Sequence, residues 1–115
     1  MAGVPSGDDL VDVLAALAHP IRIRIVATLA GGRDYVSHLA RVIGISRPLL
    51  HMHLAKLEAA GLVVGTHEIS EDGKAMRYVE LVDLDLHLTP ATFVMAASTL
   101  TTPTPDSPAG PDPQE

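Results

Sequence analysis

The feature that most constrains the fold of this chain is a pair of short apolar-patterned segments joined by one tight turn, within residues 36–63. Apolar residues recur at helical spacing on both sides of Gly44, which predicts two short helices. Helices joined so tightly must cross steeply. This requires a small residue in the first helix, a turn residue that tolerates positive φ, and an apolar residue in the second. Ala40, Gly44 and Leu50 meet these requirements at the spacing A-x3-G-x5-L and predict a helix-turn-helix unit.

Two helices are expected before this unit. Ser6, with Asp9 three residues later, is close to a capping box and predicts a first helix over residues 8–18. Pro20 suits the first turn of a second helix. The IRIRI stretch that follows alternates as a β-strand would. Its isoleucines also continue a helical stripe that ends at a Gly-Gly stop, so a helix is favoured.

A β-ribbon and a last helix are expected after the unit. Two β-rich stretches flank Asp72-Gly73, a strong hairpin signal, and predict a two-stranded ribbon over residues 62–82. The following DLDLHL alternates and suggests a strand-like extension. Thr89 as N-cap and Pro90 at the first helical position predict a last short helix. The order α-α-α-α-β-β-α describes a mainly α fold with a small β-ribbon, which is a winged helix-turn-helix.

These elements are predicted to form one domain over residues 8–100, between a flexible N-terminus (residues 1–7) and a disordered tail rich in Pro and Thr (residues 101–115). With 115 residues and three aromatic side chains the core is small, so a dimer is a natural way to bury more surface. The absence of Cys excludes disulfides and thiolate metal sites. No apolar run of membrane-spanning length and no signal-peptide pattern occurs, so we expect a cytoplasmic protein without membrane contact.

The formal net charge of −6 argues against a nucleic-acid partner until its distribution is considered. All eight basic residues lie between His19 and Val79, where only five acidic residues occur, so this window carries +3. The other nine acidic residues lie outside it. Because phosphate contacts depend on the local potential, the central window is compatible with DNA. A mixed surface with acidic ends describes the same distribution equally well.

Two histidines, His51 and His53, lie two positions apart in the second helix of the unit and therefore point about 200° apart. They cannot bind one metal ion together. His51 follows Arg47 by four residues and lies on the outer face, whereas His53 is at the edge of the buried stripe that contains Leu50 and Leu54. We expect His51 to face DNA, with plain exposure as the alternative, and His53 to serve packing or an interface.

Polar and basic residues on the outer face and the ribbon form the candidate DNA surface, with the recognition helix at about residues 47–60. An arginine in this helix can make two bonds to guanine, hydroxyl and lysine side chains suit phosphates, and a methionine can contact a thymine methyl group. The ribbon cations match the position where a wing contacts the minor groove or the backbone. The candidates, each of which is alternatively a solvated surface residue, are Arg41, Ser46, Arg47, Pro48, His51, Met52, Lys56, Lys74 and Arg77.

Three stretches, LAHPIRIRIVATLA, VSHLARVIGISRPLLHMHLAKLEAAGLV and MRYVEL, resemble the ArsR family of bacterial winged-helix repressors over about residues 10–100. A fainter similarity is to regulators of nickel-containing superoxide dismutase. The ArsR resemblance implies a homodimer joined through its first and last helices, with two recognition helices in successive major grooves of a palindromic DNA operator. It also implies that a response to metal ions is common among such proteins.

The metal sites that the resemblance implies are largely missing from this sequence. Tyr35-Val36-Ser37 stands where one family site has Cys-x-Cys. Asp85 and His87 match the first half of another site, but its second half falls near serine and threonine, which are poor ligands for zinc or nickel. No metal is therefore expected to be required. Asp85 and His87 remain candidate ligands for nickel or zinc, and alternatively contact each other as a polar pair.

A sequence-specific DNA-binding transcriptional regulator that acts as a homodimer is the favoured function. The alternative is a winged-helix module for protein interaction without specific DNA binding. An enzyme is not expected, because no nucleophile–histidine–acid motif and no Gly-rich phosphate loop is present. With few metal ligands available, a separate effector protein or a ligand at the dimer interface is a further hypothesis for how a signal would be sensed.

Overall fold

A computed structural model of the protein describes residues 6–101. Its elements follow the predicted order with one added strand: α1 (Gly7–Leu17), α2 (Pro20–Leu29), β1 (Asp34–Tyr35), α3 (Val36–Ile43), α4 (Arg47–Ala59), β2 (Val63–Ile69), β3 (Ala75–Leu81) and α5 (Pro90–Ala97). The first helix begins one residue before its predicted start. Apart from residues 6, 7 and 101, the predicted flexible N-terminus and tail lie outside the described residues.

Side-chain caps fix where four of the helices begin. The hydroxyl oxygens of Ser6, Ser46 and Thr89 accept hydrogen bonds from backbone N–H groups three residues later. His19 caps α2 in the same manner, since its Nδ1 accepts from the N–H of Ile21 at 3.1 Å. These side chains satisfy donors that would otherwise have no partner in the first turn. The caps at Ser6, Ser46 and Thr89 confirm local signals of the sequence, whereas the cap at His19 was not predicted.

The turn between α3 and α4 confirms the predicted helix-turn-helix geometry. Gly44 adopts a φ of 85°, and its N–H donates to the carbonyl oxygen of Ala40 at 2.8 Å. Ala40 and Leu50 are both buried, so the two helices meet through a small residue and an apolar one. The largest buried side chains of the core come chiefly from these two helices and their neighbours, and include Ile25, Leu39, Leu50, Leu54, Leu57 and Leu62. The helix α4 therefore has one fully buried face.

The ribbon is part of a three-stranded antiparallel sheet in the order β1-β3-β2. The register between β2 and β3 runs from Val63 opposite Leu81 to Ile69 opposite Ala75, and the hairpin turn contains Gly73 at a φ of 84°. The two-residue strand β1 pairs through Tyr35 opposite Tyr78 and joins the start of α3 to the sheet. The predicted two-stranded ribbon is therefore confirmed, and the third strand is an addition to it.

The segment between β3 and α5 contradicts the expectation of a strand-like extension. Residues 82–89 form no strand. Leu84 and Leu86 are half-buried and pack against the core, while Asp85 and His87 are exposed. The alternation in the sequence therefore reflects inward and outward side chains on an irregular segment. The register gives β3 two neighbours, β1 and β2, and none of its pairs extends beyond Leu81.

The first and last helices pack against each other. The N–H of Gly7 donates to the hydroxyl oxygen of Thr99 at 2.7 Å, and Gly7 is buried beside Ala96. The carboxylate of Asp8 accepts hydrogen bonds from both the backbone N–H and the hydroxyl of Thr101. These contacts attach the start of α1 to the residues that follow α5. They leave an outer α1–α5 surface on which Val11, Phe93, Val94 and Met95 are exposed.

Candidate nucleic-acid interface

The first half of α4 presents an exposed face in the region of the helix-turn-helix. Arg47, Pro48, His51 and Met52 are exposed, on the side of the helix opposite its buried leucines. Ser46 caps the helix at the same end and is also exposed. A helix with one face in the core and the other bearing hydrogen-bond donors fits the width of a DNA major groove. Its helical spacing therefore brings these five candidates together.

A cleft beside this face joins α4 to the wing. It is lined by residues at the junction of β1 and α3, by Arg47 and His51 of α4, and by residues 75–77 of β3. The cleft adds Tyr35 and Ser37 to the candidate interface. In the sequence, Tyr35 and Ser37 stand where one metal site of the ArsR family has Cys-x-Cys, and neither residue was predicted to contact DNA.

Arg77, predicted to contact DNA from the wing, is held within the protein. One guanidinium nitrogen, Nη1, lies 2.9 Å from Nδ1 of His51, and Nη2 donates to the two carboxylate oxygens of Glu58 at 3.2 and 3.3 Å. The side chain is half-buried and forms an ion pair with Glu58. It therefore links the wing strand β3 to α4. Glu58 was not singled out by the sequence.

The remaining three candidates are spread around this centre. Arg41 is exposed in the last turn of α3, and Lys74 is exposed beside the hairpin turn of the wing. Lys56 is exposed in the last turn of α4, where it lines a separate cleft with Asp12 and Arg22. Lys56 thus lies on the side of α4 that faces α1. All three positions leave the amino or guanidinium group accessible to a phosphate.

His53 lies in the interior, as predicted from its place at the edge of the apolar stripe. Only 2% of its surface is exposed. Its Nδ1 accepts a hydrogen bond from Nε of Arg22 at 3.1 Å, and its ring lies 4.6 Å from that of His19. Burial, and then the neighbouring His19 and Arg22, lower the pKa of His53 below its usual value. The neutral ring therefore packs α4 against α2 and has no access to DNA.

Arg33 is a second basic side chain that is engaged within the protein. It forms an ion pair with Glu68 of β2 and lies over the ring of Tyr78, with Cζ 4.1 Å from the ring centroid. The hydrogen bonding that the Arg33 guanidinium donates to the Glu68 carboxylate lowers the pKa of Glu68 and raises the pKa of Arg33. Tyr78 also packs edge-on against Tyr35. These contacts connect the three strands of the sheet.

The candidate metal ligands Asp85 and His87 contact each other. Nε2 of His87 lies 2.9 Å from the carboxylate of Asp85, and both side chains are highly exposed. Within residues 6–101, no group of three or more His, Cys, Asp or Glu side chains is arranged to hold a metal ion. Zinc in proteins is usually held by four ligands, so two exposed ones match it poorly. The geometry of Asp85 and His87 is that of a polar pair, which is the alternative given above.

In the part of the chain that the structure describes, no helix has the length and apolar character needed to cross a membrane.

Comparison with known proteins identifies relatives of this chain. A family model described as a helix-turn-helix domain matches residues 17–66, from the end of α1 to the middle of β2. The chain is 41% identical over 63 residues to the HTH-type transcriptional regulator CmtR of Mycobacterium tuberculosis, covering 55% of this chain and 50% of that protein. It is 33% identical over 64 residues to the biofilm growth-associated repressor of Xylella fastidiosa, covering 56% of each. The chain thus spans about half the length of the curated relatives it matches.

A solved structure extends the similarity to a larger part of the chain than the family model matches. It is a solution structure from Mycobacterium bovis, described as the homodimeric winged helix-turn-helix DNA-binding domain of Mb0332, a possible ArsR-family transcriptional regulator. The TM-score is 0.58 at 27% identity, covering 70% of this chain and 75% of that one. Together with the family match and the named relatives, this similarity shows a winged helix-turn-helix fold and a resemblance to ArsR-family regulators.

Proposed function

We propose that this protein is a sequence-specific DNA-binding transcriptional regulator that acts as a homodimer and has no enzymatic role. The helix α4 enters the major groove, and the hairpin of β2 and β3 serves as the wing. The observation that carries the proposal is the exposed face of Arg47, His51 and Met52 on a helix whose opposite face is buried. The named relatives, which are transcriptional regulators and repressors, support it.

Within this proposal the exposed candidates divide by chemistry. Arg47 reads a guanine edge through its two-pronged guanidinium group, and Met52 contacts a thymine methyl group. Pro48 packs at the start of the helix, where Ser46 and the free backbone N–H groups bind a phosphate. Arg41, Lys56 and Lys74 contact phosphates around this centre. Because the window from His19 to Val79 carries a net +3, these contacts lie in the only basic part of the sequence.

The proposed dimer uses the outer α1–α5 surface. Within the protomer, Ala96 is the only residue of α5 that is buried. Val94 is 72% exposed, and about half of the surface of Phe93 and of Met95 is exposed. An apolar face of this kind on a small domain is typical of an interface. A second protomer covering it would place the two copies of α4 so that they can occupy half-sites about one helical turn apart. The homodimeric state described for Mb0332 supports this arrangement.

We propose further that DNA binding requires no metal ion. Asp85 and His87 offer two ligands per protomer, so a zinc or nickel site at this position would need donors from elsewhere in the dimer. Sensing by a separate effector protein stays a prediction.

The proposal is tested by fluorescence anisotropy with the metal-free protein, DNA from its own upstream region, and a scrambled duplex. Wild-type protein is expected to bind the upstream duplex selectively, with a steep fall in affinity as salt rises. Arg47→Ala should lose about 1–3 kcal/mol of binding free energy on the upstream duplex. The matched control is Arg24→Ala, which removes an equal charge from an exposed position on α2.

The contradictory result is weak binding that is equal on both duplexes and unchanged by Arg47→Ala. That result would favour the alternative of a winged-helix module for protein interaction. The acidic ends of the sequence are the observation consistent with this alternative.

A further inference from the structure

Arg77 forms a bridge that runs along the outer side of α4. Its guanidinium group contacts Nδ1 of His51 at one end and the carboxylate of Glu58 at the other. The bridge passes over Gly65 of β2. A Cβ atom at Gly65 would lie 3.2 Å from both Nη2 of Arg77 and Oε2 of Glu58, so the absence of a side chain there makes room for it. The bridge therefore connects Glu58 to His51 through Arg77, and Gly65 leaves the space that it occupies.

The bridge fixes the position of the proton on the ring of His51. A guanidinium group has five N–H donors and no acceptor, and it stays protonated in proteins. The 2.9 Å contact with Arg77 can therefore be a hydrogen bond only if Nδ1 of His51 accepts it. The neutral imidazole then carries its proton on Nε2. Because His51 is exposed, this N–H group is available to DNA as a donor.

We infer that His51 determines specificity by donating its Nε2 proton to a hydrogen-bond acceptor on a base edge, and that Arg77 is a positioning residue that sets this donor. The inference rests on the proposed function. Guanine presents two acceptors in the major groove, N7 and O6, with no donor beside them. Cytosine presents a donor, N4, which would oppose the N–H of His51. His51 therefore favours guanine over cytosine at one position of each half-site.

The same contacts distinguish the role of Arg77 from that of a residue that binds a phosphate. Its charge is paired with Glu58, and its donors are directed at His51 and Glu58. A residue that neutralises a phosphate contributes about 0.9 to the slope of log affinity against log salt concentration. Removing a positioning residue leaves this slope unchanged and alters base preference instead. The two roles are therefore distinguishable in one titration series.

The experiment compares base preference and salt slope across variants at pH 8. Preferred sites are selected from a randomised duplex library with wild-type protein, His51→Ala, Arg77→Met and the control Arg24→Ala. Relative affinities are then measured with guanine or cytosine at each position. We expect wild-type protein and the control to prefer guanine at least roughly fivefold at the position read by His51. This preference should disappear in His51→Ala and weaken in Arg77→Met, whose salt slope should match that of the wild type.

Two results would overturn the inference while the proposed function stands: an unchanged set of base preferences in His51→Ala, or a salt slope reduced by about 0.9 in Arg77→Met. Thermal unfolding of each variant shows whether it is folded, and relative base preference does not depend on total affinity. If wild-type protein selects no sequence at all, the proposed function itself fails and the inference fails with it.

Discussion

Replacing Gly7 with alanine tests the contact between α1 and α5 that supports the proposed dimer surface. A Cβ atom at Gly7 would lie 2.1 Å from the carbonyl oxygen of Ala96 and 2.8 Å from two carbons of Leu100. The leucine side chain can rotate away, but the backbone oxygen cannot move unless α5 moves with it. The shift would also break the hydrogen bond from the Gly7 N–H to Thr99.

The magnitude follows from two opposing effects. Overpacking in a well-packed interior costs about 1–3 kcal/mol. Alanine in place of glycine stabilises a helix by about 0.5–1 kcal/mol, and by less at the first helical position. We therefore expect Gly7→Ala to lower the free energy of unfolding by about 1–2 kcal/mol. For a domain of this size, the melting temperature should fall by roughly 4–8 °C per kcal/mol.

The assay is urea unfolding followed by circular dichroism, at one protein concentration because the proposed dimer makes stability concentration-dependent. Gly31→Ala is the matched control. A Cβ atom at Gly31 would meet only the carbonyl oxygen of Thr28, at an ordinary 3.6 Å. The control is expected to unfold within about 0.5 kcal/mol of the wild type. Equal or greater stability of Gly7→Ala would refute the close packing of α1 on α5.

Three further predictions concern a buried histidine, the dimer and metal. The pKa of His53 is lowered in the folded protein. When the pH falls below the ordinary histidine value of 6.5, His53 therefore binds a proton more readily in the unfolded chain than in the folded one. The free energy of unfolding should thus be fully retained above that pH and decrease below it. His53→Gln, which can still accept from Arg22, should show a smaller decrease in pH-dependent denaturant unfolding; an identical decrease would contradict the assignment. Val94→Glu should weaken the dimer at least roughly tenfold in sedimentation equilibrium, since it buries an unpaired charge, whereas Val64→Glu on the wing should not; a dimer unaffected by Val94→Glu would place the interface elsewhere. Isothermal titration with zinc or nickel should show no tight stoichiometric binding, because Asp85 and His87 are two exposed ligands; tight binding that His87→Ala removes would contradict this.

The helices were predictable because their signals are local. Ser46 caps its helix from within three residues, and the alternation of buried and exposed positions along α4 follows from the helical period alone. The strand β1 was not predictable in this way. It has only two residues, and its pairing of Tyr35 with Tyr78 joins positions far apart in the sequence. No pattern within so short a segment distinguishes a strand from a loop.

The candidate interface divides along the same lines. Helical spacing places Arg47 and His51 together, and the apolar stripe predicts that His53 is buried. The engagement of Arg77 depends on how the wing packs against α4, because Glu58 and His51 are 19 and 26 residues away from it in the sequence. The strand pattern around Arg77 does not indicate that its guanidinium group contacts side chains of α4. The sequence therefore predicts which face of α4 is exposed, but not which hydrogen-bond donors near it are already engaged within the protein.

The measurement that tests the central claim most directly is a footprint of the metal-free protein on its upstream DNA. A homodimer with one α4 in each of two successive major grooves should protect two patches about 10–10.5 base pairs apart, with matching sequences in opposite orientation. Methylation of guanine N7 within the patches should interfere with binding. Protection of a single patch would contradict the dimer, and no protection beyond that on a scrambled duplex would contradict sequence-specific DNA binding itself.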